Sequence, residues 1–430
     1  WPLSQAEINR ALGKAKPSYS SEQIVLARAE QRLAFLKADS RISGYTSTDT
    51  PGLPSGFARS RFADSTLSLA FNDGGEGWDM HLQGNVDEGT RFSGDPKRNV
   101  DGSYGAVEFG NQWLAFGQIP QWWGPGYEGS LIRGDAARPV TGFMLQRAVQ
   151  SAPKTEWLRW IGPWQYQVFA GQLRQYTAYP HTRLTGGRLT FSPLSSLELG
   201  ASRVMQWGGK GRPRSWRYFL EGLAGRDNKG SDREPGNQLA GFDARWDPEP
   251  VFGIPVSFYG QMVGEDEAGF LPSEWAFLGG IEGHHSAGRG AINWYVEVHD
   301  TRAGMRRRNT VYTHHIYTDG YYQQGYPLGD AAGGDAQLYA GRIERVSENN
   351  QRWSARLIYA KVNPESQPIN KVFPRSDRLK GIELGWHGDV YQSIRLSASL
   401  WFIRARHSEH DNAGVGAGIE IPLRLWSGAD

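Results

Sequence analysis

Gly414-Val-Gly-Ala-Gly-Ile-Glu-Ile-Pro-Leu-Arg-Leu425 is the stretch that decides the architecture. Val415, Ala417, Ile419, Ile421, Leu423 and Leu425 fall on one side of an extended chain; Gly414, Gly416, Gly418, Glu420 and Arg424 fall on the other. Successive side chains of a strand point to opposite faces, so this strand has one apolar face and one face of glycine and charge. A helix would scatter both sets around its axis.

The same period of two recurs upstream. Ile394, Leu396, Ala398, Leu400 and Phe402 share a face, as do Ile292, Trp294, Val296 and Val298, and as do Trp78, Met80, Leu82 and Val86. Counting such segments from about Phe57 gives about eighteen strands, an even number as bacterial outer-membrane barrels have. Connection lengths sharpen the reading. Short turns at 74–77, 110–111, 193–196, 286–289, 347–351 and 388–392 alternate with long connections at 88–102, 119–141, 208–235, 301–334 and 363–377. Residues 151–163 are the one connection too long for its side. Short periplasmic turns alternating with long outer loops are the barrel arrangement, whereas a soluble β-sandwich has no reason for one-sided loops. With the first strand running outward, both termini lie in the periplasm.

Composition agrees. Hydrophobic residues make up 39% of 430, mean hydropathy is −0.56, and no apolar run is long enough to cross a bilayer as a helix. That excludes a helical membrane protein but not a barrel, whose lipid-facing and lumen-facing residues dilute one another. The 17 Trp and 18 Tyr can supply interfacial girdles, and the 55 Gly suit tight turns and crowded interiors. Absence of cysteine fits export through an oxidising periplasm. A net charge of +2 with no segregated basic half argues against a nucleic-acid partner.

The first residues read differently. Ser4-Gln-Ala-Glu7 and Ser20-Ser-Glu-Gln23 are capping boxes, and Val25, Ala29, Leu33 and Leu36 share a helical face. The expected organisation is a periplasmic helical segment over 1–43, a linker over 44–56, an all-β antiparallel transmembrane barrel of eighteen strands over 57–426, and a periplasmic tail over 427–430.

Three segments are more specific: Trp1-Pro-Leu-Ser-Gln-Ala-Glu-Ile8; Gln121-Trp-Trp-Gly-Pro-Gly-Tyr127 followed by Ser130, Arg138 and Pro139; and Tyr317-Thr-Asp-Gly-Tyr-Tyr-Gln-Gln-Gly325 running on to Gly329 and Asp335. Together they resemble the Wzi family of outer-membrane capsule proteins, from the helical start to the last strand. Ala136, where the family pattern suggests Asn, and Asp330, where His is more typical, depart from it. The resemblance implies an eighteen-stranded barrel with a helical bundle at its periplasmic end. It also implies a lectin-like role, retaining exported capsular polysaccharide at the cell surface.

A polysaccharide site needs flat aromatic faces for sugar rings and fixed cations for acidic sugars. Trp122, Trp123, Tyr127, Arg133, Trp216, Tyr321 and Tyr322, all in expected outer loops, are the candidate contacts. Arg217, Tyr218, Tyr326 and Arg306 to Arg308 lie beside them. Repeated weak contacts along a polymer suffice. The plainer reading is that the Trp pair packs loops over the barrel mouth, with Gly124, Pro125, Gly126, Ser130, Arg138 and Pro139 as structural members of the motif, and with Arg138 and Arg147 pairing with lumen carboxylates.

Two other functions are open to such a barrel. A diffusion porin is one, since eighteen strands can enclose an aqueous channel. An outer-membrane hydrolase is the other, but there is no Gly-x-Ser-x-Gly frame. The adjacent pairs His284–His285 and His314–His315 point to opposite faces if they lie on strands, which suits neither catalysis nor metal ligation. No catalytic residue, metal or cofactor is expected. The expected partners are capsular or extracellular polysaccharide and outer-membrane lipid with lipopolysaccharide, and the expected state is a monomer, since a closed barrel has no free edge.

Overall fold

The computed structural model describes residues 20–36, 40–223, 236–268, 271–302, 310–390, 394–407 and 412–423, with a few positions before Ser20. Alternating sequence becomes antiparallel sheet throughout. The barrel strands are β1 (Ser40–Ser47), β2 (Ala63–Gly75), β3 (Trp78–Thr90), β4 (Tyr104–Phe109), β5 (Gln112–Gln118), β6 (Thr141–Arg147), β7 (Trp164–Gln172), β8 (Arg183–Leu194) and β9 (Leu197–Trp207). They continue as β10 (Gly236–Trp246), β11 (Val256–Ala268), β12 (Leu271–Ser286), β13 (Gly290–Asp300), β14 (Gln337–Ser347), β15 (Arg352–Val362), β16 (Asp377–Asp389), β17 (Arg395–Ala405) and β18 (Asn412–Leu423). A two-residue strand, Arg98–Asn99, adds to β3 and brings the sheet to nineteen. The other eighteen close on themselves, because β1 pairs with β2 on one side and with β18 on the other, Ile42 opposite Ile421. Closure leaves no open sheet edge among the described residues, as a bilayer requires.

The first strand differs from expectation. The sequence reading starts the barrel at 57, yet β1 occupies 40–47, inside the expected helical segment and linker. Its outward column, in register with Ile421, Ile419 and Ala417, is Ile42, Gly44 and Thr46. One bulky apolar residue is too few to register as a lipid-facing strand. The expected first strand, near Phe57, instead turns into the lumen: the Phe57 N–H donates to the Tyr127 carbonyl (2.9 Å), and its ring meets Trp122 edge-on at 5.2 Å. Residues 427–430 and the first capping box lie outside the described residues.

Orientation follows from the ends. Ser40 pairs with Leu423, so the first strand starts and the last strand finishes at the short-turn end. In bacterial barrels that end faces the periplasm. Exposed Trp78, Trp246 and Trp353 ring this end, joined by Trp157 and Trp160 of a 3-10 helix (Glu156–Ile161) that accounts for the overlong 151–163 connection. These are the interfacial anchors expected where hydrocarbon gives way to headgroups. β11 and β12 break the pattern at the other end, meeting in a tight hairpin with Ala268 opposite Leu271.

Helix α1 (Ser20–Leu36) begins at the second capping box. It packs against β12, β13 and β14 at the short-turn end, and Arg32 reaches Glu420 of β18 at 3.1 Å.

Between the rims, Leu69, Phe116, Phe143, Val168, Phe242, Phe277, Val296, Ile343, Leu357, Leu384 and Phe402 all point outward and are exposed, a belt that only lipid can cover. Leu357 sits midway along β15 and is 62% exposed. Replacing it with Arg is expected to destabilise the barrel in vesicles by about 1–3 kcal/mol, the cost of a cation facing hydrocarbon between the midplane and the outer interface. Urea-induced unfolding measured by tryptophan fluorescence would show this; an unchanged midpoint would mean that β15 does not face lipid.

Candidate functional site

The apolar core lies inside the barrel, not between layers. The connection after β5 (119–140) and the one after β13, described from Thr310 onward, fold down into the lumen and bring their own hydrophobic residues. Trp123, Leu131, Ile132, Tyr312, Tyr317, Tyr321, Tyr322, Tyr326 and Leu328 cluster there with inward-facing Phe169, Val204, Leu239, Tyr259 and Leu278. The lumen is plugged.

The Trp-Trp-Gly-Pro-Gly motif forms the pivot of this plug. Trp122 donates its indole N–H to the Gly126 carbonyl (3.0 Å), closing the turn on itself. Trp123, 1% exposed, bonds Gln167 of β7 and pairs its backbone with Arg133. Its carbonyl accepts from Ser130 Oγ (2.5 Å) and from Gln261 Nε2 of β11 (2.7 Å), while Gln261 Oε1 accepts the Leu131 N–H (2.7 Å). One strand glutamine thus clamps both sides of the loop. Gly124 has φ +149, and a Cβ there would lie 2.8 Å from the Gln261 amide. A Cβ at Gly126 would lie 2.4 Å from the Gly129 carbonyl oxygen. Glycine is needed at both for close approach.

Two buried carboxylates hold the next turn. Glu297 of β13 accepts the backbone N–H groups of Tyr127 (2.7 Å), Glu128 (2.9 Å) and Gly129 (3.1 Å), and the Tyr259 hydroxyl at 2.7 Å. Its second neighbour is His299, whose ring bridges Glu297 (2.5 Å) and Asp330 of the other plug loop (2.6 Å). A Glu–His–Asp chain suggests catalysis at first sight. All three are sealed from solvent, so no substrate could reach them, and the chain ties two loops to one strand. Glu128 faces Arg356 of β15 (2.6 Å) and Arg59 (2.7 Å) and accepts from the Tyr295 hydroxyl. Burial alone would push the Glu128 carboxyl up, but the Arg356 and Arg59 guanidiniums hold it well below the usual carboxylate range.

This placement corrects most of the expected sugar contacts. Trp122, Trp123, Arg133, Tyr321 and Tyr322 are buried in the plug and have no free face. Arg133 lies over the Phe169 ring and donates to Gln121, and the Tyr321 hydroxyl donates to the Ile132 carbonyl. Tyr127 stacks on Tyr295 (4.9 Å, 12°) and faces downward into a chamber of about 620 Å³ on the periplasmic side, which Arg61, Trp294, Arg342, Glu344 and Val25 also line. Arg138 pairs with Asp87 (2.8 Å) and Asp101 (2.7 Å), as a lumen arginine should, whereas Arg147 donates to the Ser151 and Trp164 carbonyls. Pro139 is half-buried beside it. Arg306 to Arg308 lie outside the described residues.

Trp216 alone of the seven is exposed at the outer rim, on a helix laid against the outward side of the barrel wall. It opens helix α2 (Trp216–Leu223), is 67% exposed, and rests on Phe219, which in turn packs on Trp207 at 5.0 Å. Arg203 Nη2 and Gln238 Nε2 hold the helix end through the Gly222 carbonyl. Arg217 and Leu220 are exposed next to the indole, giving a flat ring, a cation and an apolar edge on one surface.

The histidine pairs play local parts. His314 Nδ1 accepts the N–H groups of Ile316 and Tyr317 (3.1 Å each) and stacks on His315. His284 and His285 do face opposite ways. A grouping the sequence reading missed involves His284: Glu22 of α1, Glu249 in the β10–β11 turn and His284 each bring a ligand atom within 4.8 Å of the others, enough to hold a divalent cation. Residues so far apart in sequence gave no spacing signal.

Comparison with known proteins agrees with this architecture. The family described as "Capsule assembly protein Wzi" matches residues 37–413. A Klebsiella pneumoniae protein described as an uncharacterized 55.8 kDa protein in the cps region is 67% identical over 425 residues, 99% of this chain and 84% of its own length. A solved structure of Escherichia coli Wzi, described as an outer membrane protein involved in group 1 capsule assembly and a carbohydrate-binding β-barrel, is 65% identical with a TM-score of 0.93, covering 99% of this chain and 93% of its own. Pseudomonas aeruginosa OpdQ, 9% identical with a TM-score of 0.50 over 90% of this chain and 98% of its own, shares the barrel fold alone.

Proposed function

Because the chain belongs to the Wzi family of capsule assembly proteins, we propose that it is a surface lectin of the outer membrane, binding capsular polysaccharide and retaining it on the cell. The observation that carries this reading is the plug. Trp123, Leu131, Tyr312 and Tyr321 fill the lumen with buried apolar side chains among the described residues, which supports reading the barrel as a platform whose outer face does the work. The same packing disfavours the porin reading, and the enclosure of Glu297, His299 and Asp330 disfavours hydrolysis. The protein acts without catalysis.

On that face α2 offers the contact surface. Trp216 supplies a ring for the C–H side of a sugar, and Arg217 supplies a charge for an acidic repeat. Single contacts of this kind are weak, and a repeating polymer on many barrels multiplies them. Trp216→Ala removes on the order of 1 kcal/mol of stacking per engaged repeat, about fivefold in single-site affinity. The expected result is a severalfold fall in cell-bound capsule, with released polymer rising to match and barrel stability unchanged. The measurement is the partition of capsule between cells and medium in a strain lacking this protein, complemented with either form. Wild-type partition in the Trp216→Ala strain at normal barrel abundance would remove α2 from the site. Wild-type partition in the empty strain would remove the function.

A further inference from the structure

The outward side chains of β15, β16 and β17 form rungs that change character abruptly toward the outer rim. Leu357, Ile382 and Phe402 stand in register as an apolar rung. The next rung outward carries Tyr359, Lys380 and Arg404, and Tyr339 of β14 extends it. The rung beyond pairs Lys361 with Arg378, and Arg406 continues it by donating its N–H to the Arg378 carbonyl (3.1 Å). Neighbouring strands are about 5 Å apart and alternate residues about 7 Å along a strand, so five cations occupy roughly 10 by 7 Å of the lipid-facing surface.

These charges have no ion-pair partner among the described residues, and Arg378, Lys380, Arg404 and Arg406 are exposed. The closest acid in sequence, Asp377, alternates to the other face and accepts the backbone N–H groups of Arg378 (2.7 Å) and His407 (3.0 Å). Elsewhere on the outer rim two lipid-facing acids are matched by cations, Glu88 with Lys97 and Asp300 with Arg302. In a chain of net charge +2, five cations on three adjacent strands with no ion pair among the described residues favour an external anion.

We propose that this patch binds the phosphorylated headgroup of an outer-leaflet glycolipid, the lipid A part of lipopolysaccharide. Phosphates sit on the guanidinium forks of Arg378, Arg404 and Arg406 and on the ammoniums of Lys361 and Lys380. Acyl chains lie along Leu357, Ile382 and Phe402, one rung below. A phosphate-bearing lipid fits because charge and hydrocarbon follow each other along the same three strands in the order that such a molecule presents them. The proposal rests on membrane placement and not on polysaccharide capture, so either can fail alone.

The test uses the detergent-solubilised protein and purified diphosphoryl lipid A, with bound lipid counted by intact-complex mass spectrometry. Arg378→Gln, Lys380→Gln and Arg404→Gln combined are expected to weaken binding about a hundredfold, at roughly fivefold per surface charge. Lys97→Gln, Arg98→Gln and Lys210→Gln combined, the same charge loss on other outer loops, should leave it unchanged. Dephosphorylated lipid A should bind wild-type protein no better than the triple variant binds the diphosphoryl form. The proposal fails if the triple variant keeps wild-type affinity, if phosphate removal makes no difference, or if inorganic phosphate binds as tightly as the lipid. Should the triple variant fold poorly, Lys380→Gln and Arg404→Gln singly, each expected at about fivefold, carry the same test.

Discussion

Replacing Glu297 with Ala opens the barrel. In planar bilayers the wild-type protein should be electrically silent, and the variant should show intermittent, porin-like conductance. Glu297 is the common acceptor for three consecutive backbone N–H groups of the plug, for the Tyr259 hydroxyl and for one nitrogen of His299. Alanine leaves all of these without their acceptor in a site closed to bulk water. Each orphaned buried donor costs about 1–3 kcal/mol, so the plugged state loses about 4–6 kcal/mol once partial rehydration is allowed. The barrel strands keep their own ladders, and the loss falls on the seating of residues 127–129. The Gln variant, which keeps one acceptor oxygen, should fall between. A silent Glu297→Ala protein with wild-type thermal stability would show that the turn is held by other means, and a conducting wild type would overturn the plug itself.

That this barrel is closed by its own loops was only half legible in the sequence. Alternation declared the strands because one face of each must satisfy lipid, as Val415 to Leu423 do, and that constraint is local. β1 escaped because Gly44 and Thr46 occupy its lipid face, where neighbouring Ile419 supplies the bulk. The stretch at Phe57, where the strands were expected to begin, is a strap into the lumen whose Phe57 meets Trp122 and whose Arg59 meets Glu128, contacts with loop residues far along the chain.

The functional residues were less legible still. Trp123 and Trp216 are the same residue type in two long outer loops, and only the fold separates a ring clamped by Gln167 from one left exposed on Phe219. What buries Trp123 comes from β7 and β11, far along the chain, and no spacing within the motif encodes those partners. A structural part for Gly124 and Gly126 was easier to read, because glycine at a tight turn has a local cause. The cations of β15–β17 were invisible for the opposite reason: Lys361, Arg378, Lys380, Arg404 and Arg406 are dispersed in sequence and are assembled only by register.

Removing Arg356 should give the second-largest loss, with a pH signature. Glu128 is fully enclosed, and Arg356 meets it with Nε at 3.0 Å and Nη2 at 2.6 Å, a two-pronged contact that Arg59 supplements with one nitrogen. In Arg356→Ala, Arg59 and the Tyr295 hydroxyl are left to oppose the burial of that charge. Truncating one partner of a buried pair costs about 3–5 kcal/mol, and the residual Arg59 contact places this case near the lower figure. In the wild type, the depressed Glu128 value means that its contribution is fully present above the unfolded carboxylate value of about 4.3 and is lost only as pH falls toward the folded one. Stability should therefore be flat with respect to this group from pH 5 to 8. In the variant burial gains the upper hand and the carboxyl shifts upward, so the sign reverses: stability is retained in acid and declines as pH rises through the new value. Adding Glu128→Gln to Arg356→Ala removes the uncompensated charge, so the double variant should regain most of the loss and be flat again. If Arg356→Ala and the double variant unfold alike at every pH, the pair is not coupled, and the plug is held by Glu297 and its packing alone.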